Sequence, residues 1–304
     1  MSDTLSRDTV TEKISVVEGM IPVQGGRVWH RTVGADRKKV PLLVLHGGPG
    51  APHDYLEPLE HLGKDRPVVF YDQLGCGNSD RPDDPTLWTL DRFVDELARV
   101  REALDLQRLH ILGQSWGTML AVEYVLTRKP EGVLSLILSG PCLSVSRFIE
   151  DQKAYLLDFP QDVQETIRRS EESGDFRSRE YQDAMIMYFS RHLCRLQPWP
   201  NCLIETLEKM GLNVYETMWG PSEFTLTGTL KDFERAERLK EIMLPTLFTC
   251  GRHDEATPDT TRFYQEMLPG SRMAVLDDAS HEHHLEQPVR YLETVRQFLG
   301  EIEE

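Results

Sequence analysis

Five short apolar runs along the chain have the composition of strands that are buried on both faces. They are rich in Val, Ile and Leu, and apolar and polar positions hardly alternate, which favours strands of a parallel sheet. The runs are PLLVLH (41–46), PVVFYD (67–72), RLHILG (108–113), VLSLILSG (133–140) and PTLFTCG (245–251). SRMAVLDDAS (271–280) is a further strand candidate near the end of the chain.

Segments with helical periodicity lie between these runs. In TLDRFVDELARVREAL (89–104) the apolar residues form one stripe, Thr89 is the predicted N-cap, and Asp91 suits the positive helix start. The N-terminal SVVEGMIPVQGGRVWHRTVG (15–34) predicts a hairpin with Gly25-Gly26 at its turn. Strands that alternate with helices indicate an α/β protein with a mostly parallel central sheet.

The alternation stops after Pro141. From 142 to 240 the chain is charged and mostly helical by pattern, and the run 245–251 then resumes the sheet. We therefore predict an α/β core built from residues 1–141 and 241–304, with residues 142–240 forming an inserted helical lid.

The composition of the chain disfavours some classes of binding partner and indicates the cellular compartment. With 34 basic and 50 acidic residues the net charge is −16, which disfavours nucleic acid and anionic membranes as partners. No stretch approaches the roughly 18 apolar residues of a membrane span, and MSDTLSRDTVTEK (1–13) lacks an apolar signal core. The five cysteines are odd in number and not closely paired, so we expect free thiols in a reducing cytoplasm.

The segment Gly113-Gln114-Ser115-Trp116-Gly117 follows a predicted strand and precedes a predicted helix. This is the context of a Gly-x-Ser-x-Gly nucleophile elbow, in which small flanking residues permit a strained turn. A serine that only caps a helix would explain Ser115 but not the paired glycines. Ser115 is therefore the candidate nucleophile.

The glycine-rich loop Leu45-His46-Gly47-Gly48-Pro49-Gly50 follows the first parallel strand. Backbone N–H groups there can approach a substrate carbonyl, so Gly47 and Trp116 are the predicted oxyanion donors. An ordinary glycine-rich strand exit is the alternative. The Walker lysine of a phosphate-binding loop is missing, and Gly75-Cys76-Gly77 lacks the third glycine of a dinucleotide fingerprint.

An acid and a base should follow the serine in the order Ser, Asp or Glu, His. Asp254 lies directly after the run 245–251, and His281 lies after the last predicted strand, so both fall at the sheet edge of Ser115. Asp277 and Asp278 are competing acids, but they are more typical of loop residues. His281 would deprotonate Ser115, and Asp254 would fix the His281 tautomer.

His281 belongs to the histidine-rich segment ASHEHHLE (279–286). A metal site is a weak alternative, because the spacing is not HExxH and no other His/Cys cluster supplies further ligands. We expect Glu282 and His283 to face solvent, whereas the pattern does not decide the position of His284.

Together, HGGPG (46–50), DQLGCGNS (72–79), GQSWG (113–117), GRHDE (251–255) and the late Ser280-His281 resemble the proline iminopeptidase branch of the α/β-hydrolases. The resemblance also includes tricorn-interacting aminopeptidases and L-amino-acid amide hydrolases, and it covers nearly the whole chain. One departure is Thr118, where relatives often carry glycine. We expect it to tighten the packing of the elbow.

The resemblance implies a serine aminopeptidase that needs no cofactor or metal and acts on small substrates with a free N-terminal amine. Glu223 and Glu255 match the carboxylates that hold the substrate ammonium, although a solvated lid residue and a surface carboxylate are their alternatives. Gly48 and Trp219 are further candidate substrate-binding residues, and Trp116 and Phe224 are candidate walls of an apolar pocket. The oligomeric state is not predicted.

Proline is the expected N-terminal residue. The nearest rival function is hydrolysis of L-prolinamide or other amino-acid amides by the same machinery. An esterase or carbon–carbon bond hydrolase of the same fold is a more distant rival, and a catalytically silent binding protein is the alternative from another class.

Overall fold

The structure, a computed structural model, describes residues 14–304. The polar segment 1–13, for which the sequence predicts no apolar signal core, lies outside the described residues. Within 14–304 no helix has the length and apolarity that crossing a membrane requires.

One eight-stranded sheet forms the centre of the described chain, in the order β1-β2-β4-β3-β5-β6-β7-β8. β1 and β2 form an antiparallel hairpin, β2 is antiparallel to β4, and all later pairs are parallel. The strands are β1 (Val16–Val23), β2 (Gly26–Val33), β3 (Leu42–Leu45), β4 (Val68–Tyr71), β5 (Leu109–Gln114), β6 (Val133–Ser139), β7 (Thr246–Gly251) and β8 (Arg272–Leu276). The predicted mostly parallel α/β fold and all the predicted strands are confirmed.

The helices lie between the strands and after them. They are α1 (Leu90–Ala103), α2 (Trp116–Arg128), α3 (Val145–Leu156), α4 (Gln161–Ser173), α5 (Arg179–His192), α6 (Asn201–Glu208), α7 (Leu212–Met218), α8 (Pro258–Met267), α9 (His283–Glu286) and α10 (Pro288–Glu303). Three 3₁₀ segments span His53–Lys64, Pro85–Leu87 and Ala236–Glu241. Thr89 caps α1 as predicted, because its side chain accepts a hydrogen bond from Arg92 N–H.

The hairpin turn is displaced by one residue from its predicted position. Val23 pairs with Gly26, so Gln24 and Gly25 form the turn and Gly26 already belongs to β2. Gly25 has a φ of +93°, a conformation that a side chain disfavours, which explains a glycine at this position.

Apolar side chains cover both faces of the sheet, which is why the strand sequences hardly alternate. Along β3, Leu43 and Leu45 belong to one hydrophobic cluster, whereas Leu42 and Val44 belong to the cluster on the other face. Successive side chains of a strand point to opposite faces, so both faces must be buried for such a run to be stable.

Helices α3 to α7 all fall between β6 and β7, within the predicted lid of residues 142–240. Part of this region has a hydrophobic cluster of its own, which includes Phe159, Ile167, Tyr181 and Tyr188. The boundaries of the two predicted domains stay a prediction.

We expect Leu112→Ala to lower the free energy of unfolding by about 3 kcal/mol. Leu112 lies in β5 and is fully buried, so truncation removes apolar contacts and leaves a cavity. Urea unfolding followed by tryptophan fluorescence measures the change. Leu157→Ala is the control, because Leu157 is 73% exposed; equal losses in both variants would contradict the assignment of Leu112 to the core.

Candidate active site

Ser115 occupies the sharp turn between β5 and α2. Its φ of +53° and ψ of −121° are strained for a residue with a side chain. A β-carbon on Gly113 would lie 2.2 Å from the carbonyl oxygen of Gly117, and one on Gly117 would lie 2.2 Å from the carbonyl oxygen of Leu45. Both glycines of the motif are therefore required by backbone contacts that leave no room for a side chain.

Thr118 ties this elbow to the chain that follows β6. Its hydroxyl donates to the carbonyl oxygen of Ser115 over 2.7 Å and accepts from Cys142 N–H over 3.2 Å. Thr118 is fully buried. The threonine thus joins two loops at the same edge of the sheet, contacts that a glycine at this position would not make.

Asp254 and His281 meet at the carboxyl ends of β7 and β8. His281 Nδ1 lies 2.7 Å from Asp254 Oδ1, so the ring donates its Nδ1 proton to the carboxylate and leaves Nε2 free to accept a proton. Asp254 also accepts hydrogen bonds from the N–H groups of Gly251 and Ala256. Gly140 makes room for the ring, because a β-carbon there would lie 2.7 Å from His281 Cε1.

Electrostatics favour the ionised form of this pair. Burial opposes the charge on Asp254, but His281 and His283 beside it hold the pKa of the carboxyl below its usual range. Burial alone would lower the pKa of His281. The negative charges of Asp254 and Glu255 outweigh the effect of burial and hold the pKa of His281 above its ordinary value. An imidazolium at His281 is therefore stabilised in place.

Ser115 and His281 line one cavity but share no direct hydrogen bond within residues 14–304. His281 Nε2 instead lies 3.6 Å from Glu255 Oε1. Catalytic hydrogen bonds are often long in a site without substrate, so the arrangement is compatible with a serine–histidine pair that tightens when substrate is bound.

The N–H group of Gly47, which the sequence predicted to be an oxyanion donor, already donates to another residue. It donates to Tyr55 Oη over 2.7 Å, and the Tyr55 hydroxyl donates to Gln114 Oε1 over 2.5 Å. Gly48, at a φ of +106°, lines the cavity beside Ser115. Trp116 is the first residue of α2, where backbone N–H groups have no acceptor within the helix. The sequence could not show that a tyrosine would occupy the Gly47 donor.

The cavity has a volume of about 500 Å³ and is enclosed by loops of the sheet edge and by helices of the predicted lid. Its walls are mostly apolar, which suits a small organic substrate. Trp116 and Trp219 line it, as expected, and Trp219 packs edge-to-face on Phe148 with ring centroids 5.3 Å apart. Phe224 packs within the cluster of the α4–α5 region instead, 4.9 Å from the Tyr188 ring.

Glu223 and Glu255 both line this cavity, one from the segment after α7 and one from the loop after β7. The Tyr215 hydroxyl donates to Glu223 Oε1, whereas Glu255 Oε2 is buried and has no hydrogen-bond partner among residues 14–304. Burial raises the pKa of both carboxyl groups, and each in turn is stabilised as an anion by His281. A cation bound beside these two carboxyl groups would therefore favour their ionised forms.

The prediction that Glu282 and His283 face solvent is wrong. Glu282 is 4% exposed and His283 is fully buried. His283 Nε2 contacts the hydroxyls of Ser139 and Thr249, at 2.8 and 3.0 Å, and His284 Nε2 donates to the carbonyl oxygen of Tyr55 over 3.0 Å. The segment 279–286 includes the short helix α9 and is packed inside the protein. Its charged residues alone would indicate a solvated segment.

Two other sequence alternatives also have a structural outcome. Asp277 pairs with Arg252 over 2.8 Å at the surface, away from His281, as expected for a loop residue. Among residues 14–304 there is no group of three or more His, Cys, Asp and Glu side chains that could hold a metal ion.

Comparisons with known proteins agree with this geometry. A family profile for the alpha/beta hydrolase fold matches residues 40–288. A proline iminopeptidase of Heyndrickxia coagulans is 49% identical over 286 residues, which cover 94% of this chain and 99% of that protein. A proline iminopeptidase of Clostridium botulinum is 35% identical over 94% of this chain and 99% of its own length.

Solved structures give the same result. The crystal structure of the Mycobacterium smegmatis proline iminopeptidase superposes with a TM-score of 0.87 at 34% identity, covering 94% of this chain and 98% of that one. The crystal structure of VinJ superposes with a TM-score of 0.90 at 36% identity, covering 94% and 99%. The chain belongs to the proline iminopeptidase family of the α/β-hydrolase fold.

Proposed function

We propose that this chain is a serine aminopeptidase that releases an N-terminal residue, preferentially proline, from small peptides through an acyl-enzyme. The observation that carries the proposal is the hydrogen bond between Asp254 and His281, whose imidazole lines one mostly apolar cavity together with Ser115, Glu223 and Glu255. Membership in the proline iminopeptidase family supports it.

In this proposal Ser115 attacks the carbonyl carbon of the first residue. His281 Nε2 takes the hydroxyl proton and then delivers it to the leaving amine, while Asp254 holds the ring by its 2.7 Å hydrogen bond. A water molecule, deprotonated by His281, then hydrolyses the acyl-enzyme and restores the Ser115 hydroxyl.

The tetrahedral oxyanion is held by the backbone N–H groups of Trp116 and Gly48. Trp116 N–H lies at the positive end of α2, and Gly48 lines the cavity whereas Gly47 N–H is already donated to Tyr55. Gly48 therefore replaces Gly47 as the second donor in this mechanism.

Glu223 and Glu255 bind the ammonium group of the substrate. A buried carboxylate without a partner is costly, so a cation at this position is bound more strongly than a neutral, acylated amine. Tyr215 orients Glu223, and Trp219 with Phe148 forms an apolar wall for a compact side chain such as the proline ring. The substrate is a small peptide or amino-acid amide with a free N-terminus.

A cytoplasmic location and a lid formed by residues 142–240 complete the proposal. All five cysteines are free, as in a reducing compartment. Tyr215 of α7 and Trp219, which follows that helix, line the cavity, and their position supports the proposed lid.

Ser115→Ala should lower kcat for prolyl-naphthylamide by about 10⁴-fold or more, because no other group forms the acyl-enzyme. Rates of naphthylamine release measure the loss, and circular dichroism checks the fold. Ser190→Ala is the control, since the Ser190 hydroxyl only bonds the Met187 carbonyl on α5. Comparable turnover by Ser115→Ala would remove the serine mechanism.

Glu223→Gln should lower kcat/KM for prolyl-naphthylamide by about 100-fold, because the substrate ammonium loses a buried counter-charge. Hydrolysis of p-nitrophenyl acetate, which has no ammonium, should change less than about twofold on the same grounds. The control is Glu216→Gln, which changes an exposed carboxylate on α7, the helix that precedes Glu223. A similar loss on both substrates would argue against an ammonium site.

Glu255→Gln should move the acidic limb of the pH–kcat/KM profile for p-nitrophenyl acetate to lower pH by about one unit. An ionised Glu255, 3.6 Å from Nε2, stabilises the imidazolium, and catalysis requires the neutral ring. Removing the charge therefore lowers the pKa of His281, and the ring is neutral at a lower pH. An unmoved limb would show that Glu255 does not act on His281.

A further inference from the structure

Glu282 is a buried carboxylate that the proposed mechanism does not use. It follows His281 directly, is 4% exposed, and lines the same cavity as Ser115. Its Oε2 atom is buried without a hydrogen-bond partner among the described residues. Leaving such a group unsatisfied lowers stability, so its presence in the cavity wall points to a ligand.

The groups around Glu282 do not neutralise it. His284 Nε2 is 3.6 Å from Oε2, but the Nε2 proton is donated to the Tyr55 carbonyl oxygen over 3.0 Å. Burial lowers the pKa of His284 to about 3, so that ring is neutral. Burial also raises the pKa of Glu282 to about 8, although His281 opposes the shift. A cation that enters would therefore bind the ionised carboxylate and shift its titration downwards.

Glu282 enters the cavity wall beside the end of α5, whereas Glu223 enters it from the segment after α7. The N–H groups of His281 and Glu282 donate to the carbonyls of His192 and Leu193, which fixes Glu282 at the end of α5. Burial raises the pKa of Tyr55 and of Tyr215, and the charge of Glu282 adds to the first shift whereas the charge of Glu223 adds to the second.

The wall beside Glu282 is formed by α6 and the 3₁₀ segment His53–Lys64. Tyr55 N–H donates to Thr206 Oγ1 of α6 over 2.9 Å, and Thr206, Leu203 and Leu207 of α6 all line the cavity. Leu207 is 45% exposed, so this apolar wall reaches from the buried carboxylate to the surface.

A subsite at Glu282 requires one direction of a bound peptide. Its ammonium group lies at Glu223 and Glu255, its first carbonyl lies at Ser115, and its leaving group follows the α6 wall, where Glu282 Oε2 is buried without a partner among the described residues. A lysine or arginine side chain suits this wall, because its aliphatic part packs on Leu203 and Leu207 while its charged end reaches Glu282.

We propose that Glu282 forms a second acidic subsite, which binds the cationic side chain of the residue that follows the cleaved bond. This subsite rests on the proposed aminopeptidase function, since that function fixes which end of the substrate lies at Glu223. The chain would thus favour substrates with a free amine at the first residue and a basic side chain at the second.

The test compares prolyl-lysine amide with prolyl-norleucine amide, which has the same aliphatic chain without the ammonium group. We expect the wild-type kcat/KM to be about 10-fold higher for the lysine substrate. Glu282→Gln should reduce this ratio to about 1, whereas Glu216→Gln, which changes an exposed carboxylate on the same cavity, should preserve it. The ratio cancels any effect of Glu282 on His281 that both substrates share.

A wild-type ratio near 1 would overturn the subsite. This test needs no variant, so it does not depend on whether Glu282→Gln folds. An unchanged ratio in Glu282→Gln would also overturn it. So would an equal loss on both substrates with a displaced acidic limb of the pH profile, which would make Glu282 a positioning residue for His281. If the wild type cleaves neither amide, the aminopeptidase function itself fails, a result that is distinct from a ratio of 1.

Discussion

The imidazole of His281 lies among four carboxyl groups, and its positive charge favours the ionised form of each. Asp254 lies 2.7 Å from Nδ1 and Glu255 lies 3.6 Å from Nε2, and Glu223 and Glu282 are both stabilised as anions by the same ring. In a buried cavity such carboxylates favour protonation unless a cation is near. A cation in the cavity would therefore be stabilised. The His281 ring, which is the proposed base, contacts both Asp254 and Glu255.

This arrangement depends on the sheet. β5, β6, β7 and β8 are parallel neighbours, so the residues that follow them emerge at one edge. Ser115, Gly140, Asp254 and His281 follow these strands in that order. Gly140, after β6, leaves space for the His281 ring, and Thr118 links the elbow after β5 to Cys142. The segments after β5 and β6 therefore form the surroundings in which Asp254 and His281, after β7 and β8, lie.

The sequence predicted the strands of the sheet and a mostly helical segment between β6 and β7, but it did not predict the contacts between distant residues. The glycines on both sides of Ser115 are required by a tight turn, and the strand before it is apolar because both of its faces are buried. Both features appear in a short stretch of sequence, so the sequence pattern reveals them. Gly47 shows where this stops: its N–H is bound by Tyr55, whose hydroxyl reaches Gln114, a residue 59 positions further along the chain. Glu282 and His283 look like a solvated charge run, yet long-range packing buries both.

By itself the sequence determined the buried strands, the order of Ser115, Asp254 and His281 along the chain, and the family resemblance, because each rests on residue type and short-range spacing. Only the tertiary structure decided that the Gly47 N–H group is bound by Tyr55, which histidine contacts Asp254, and that Glu282 lines the cavity. These are contacts between residues far apart in the chain. They depend on which side chains fill the space between packed elements, and a linear pattern does not encode that.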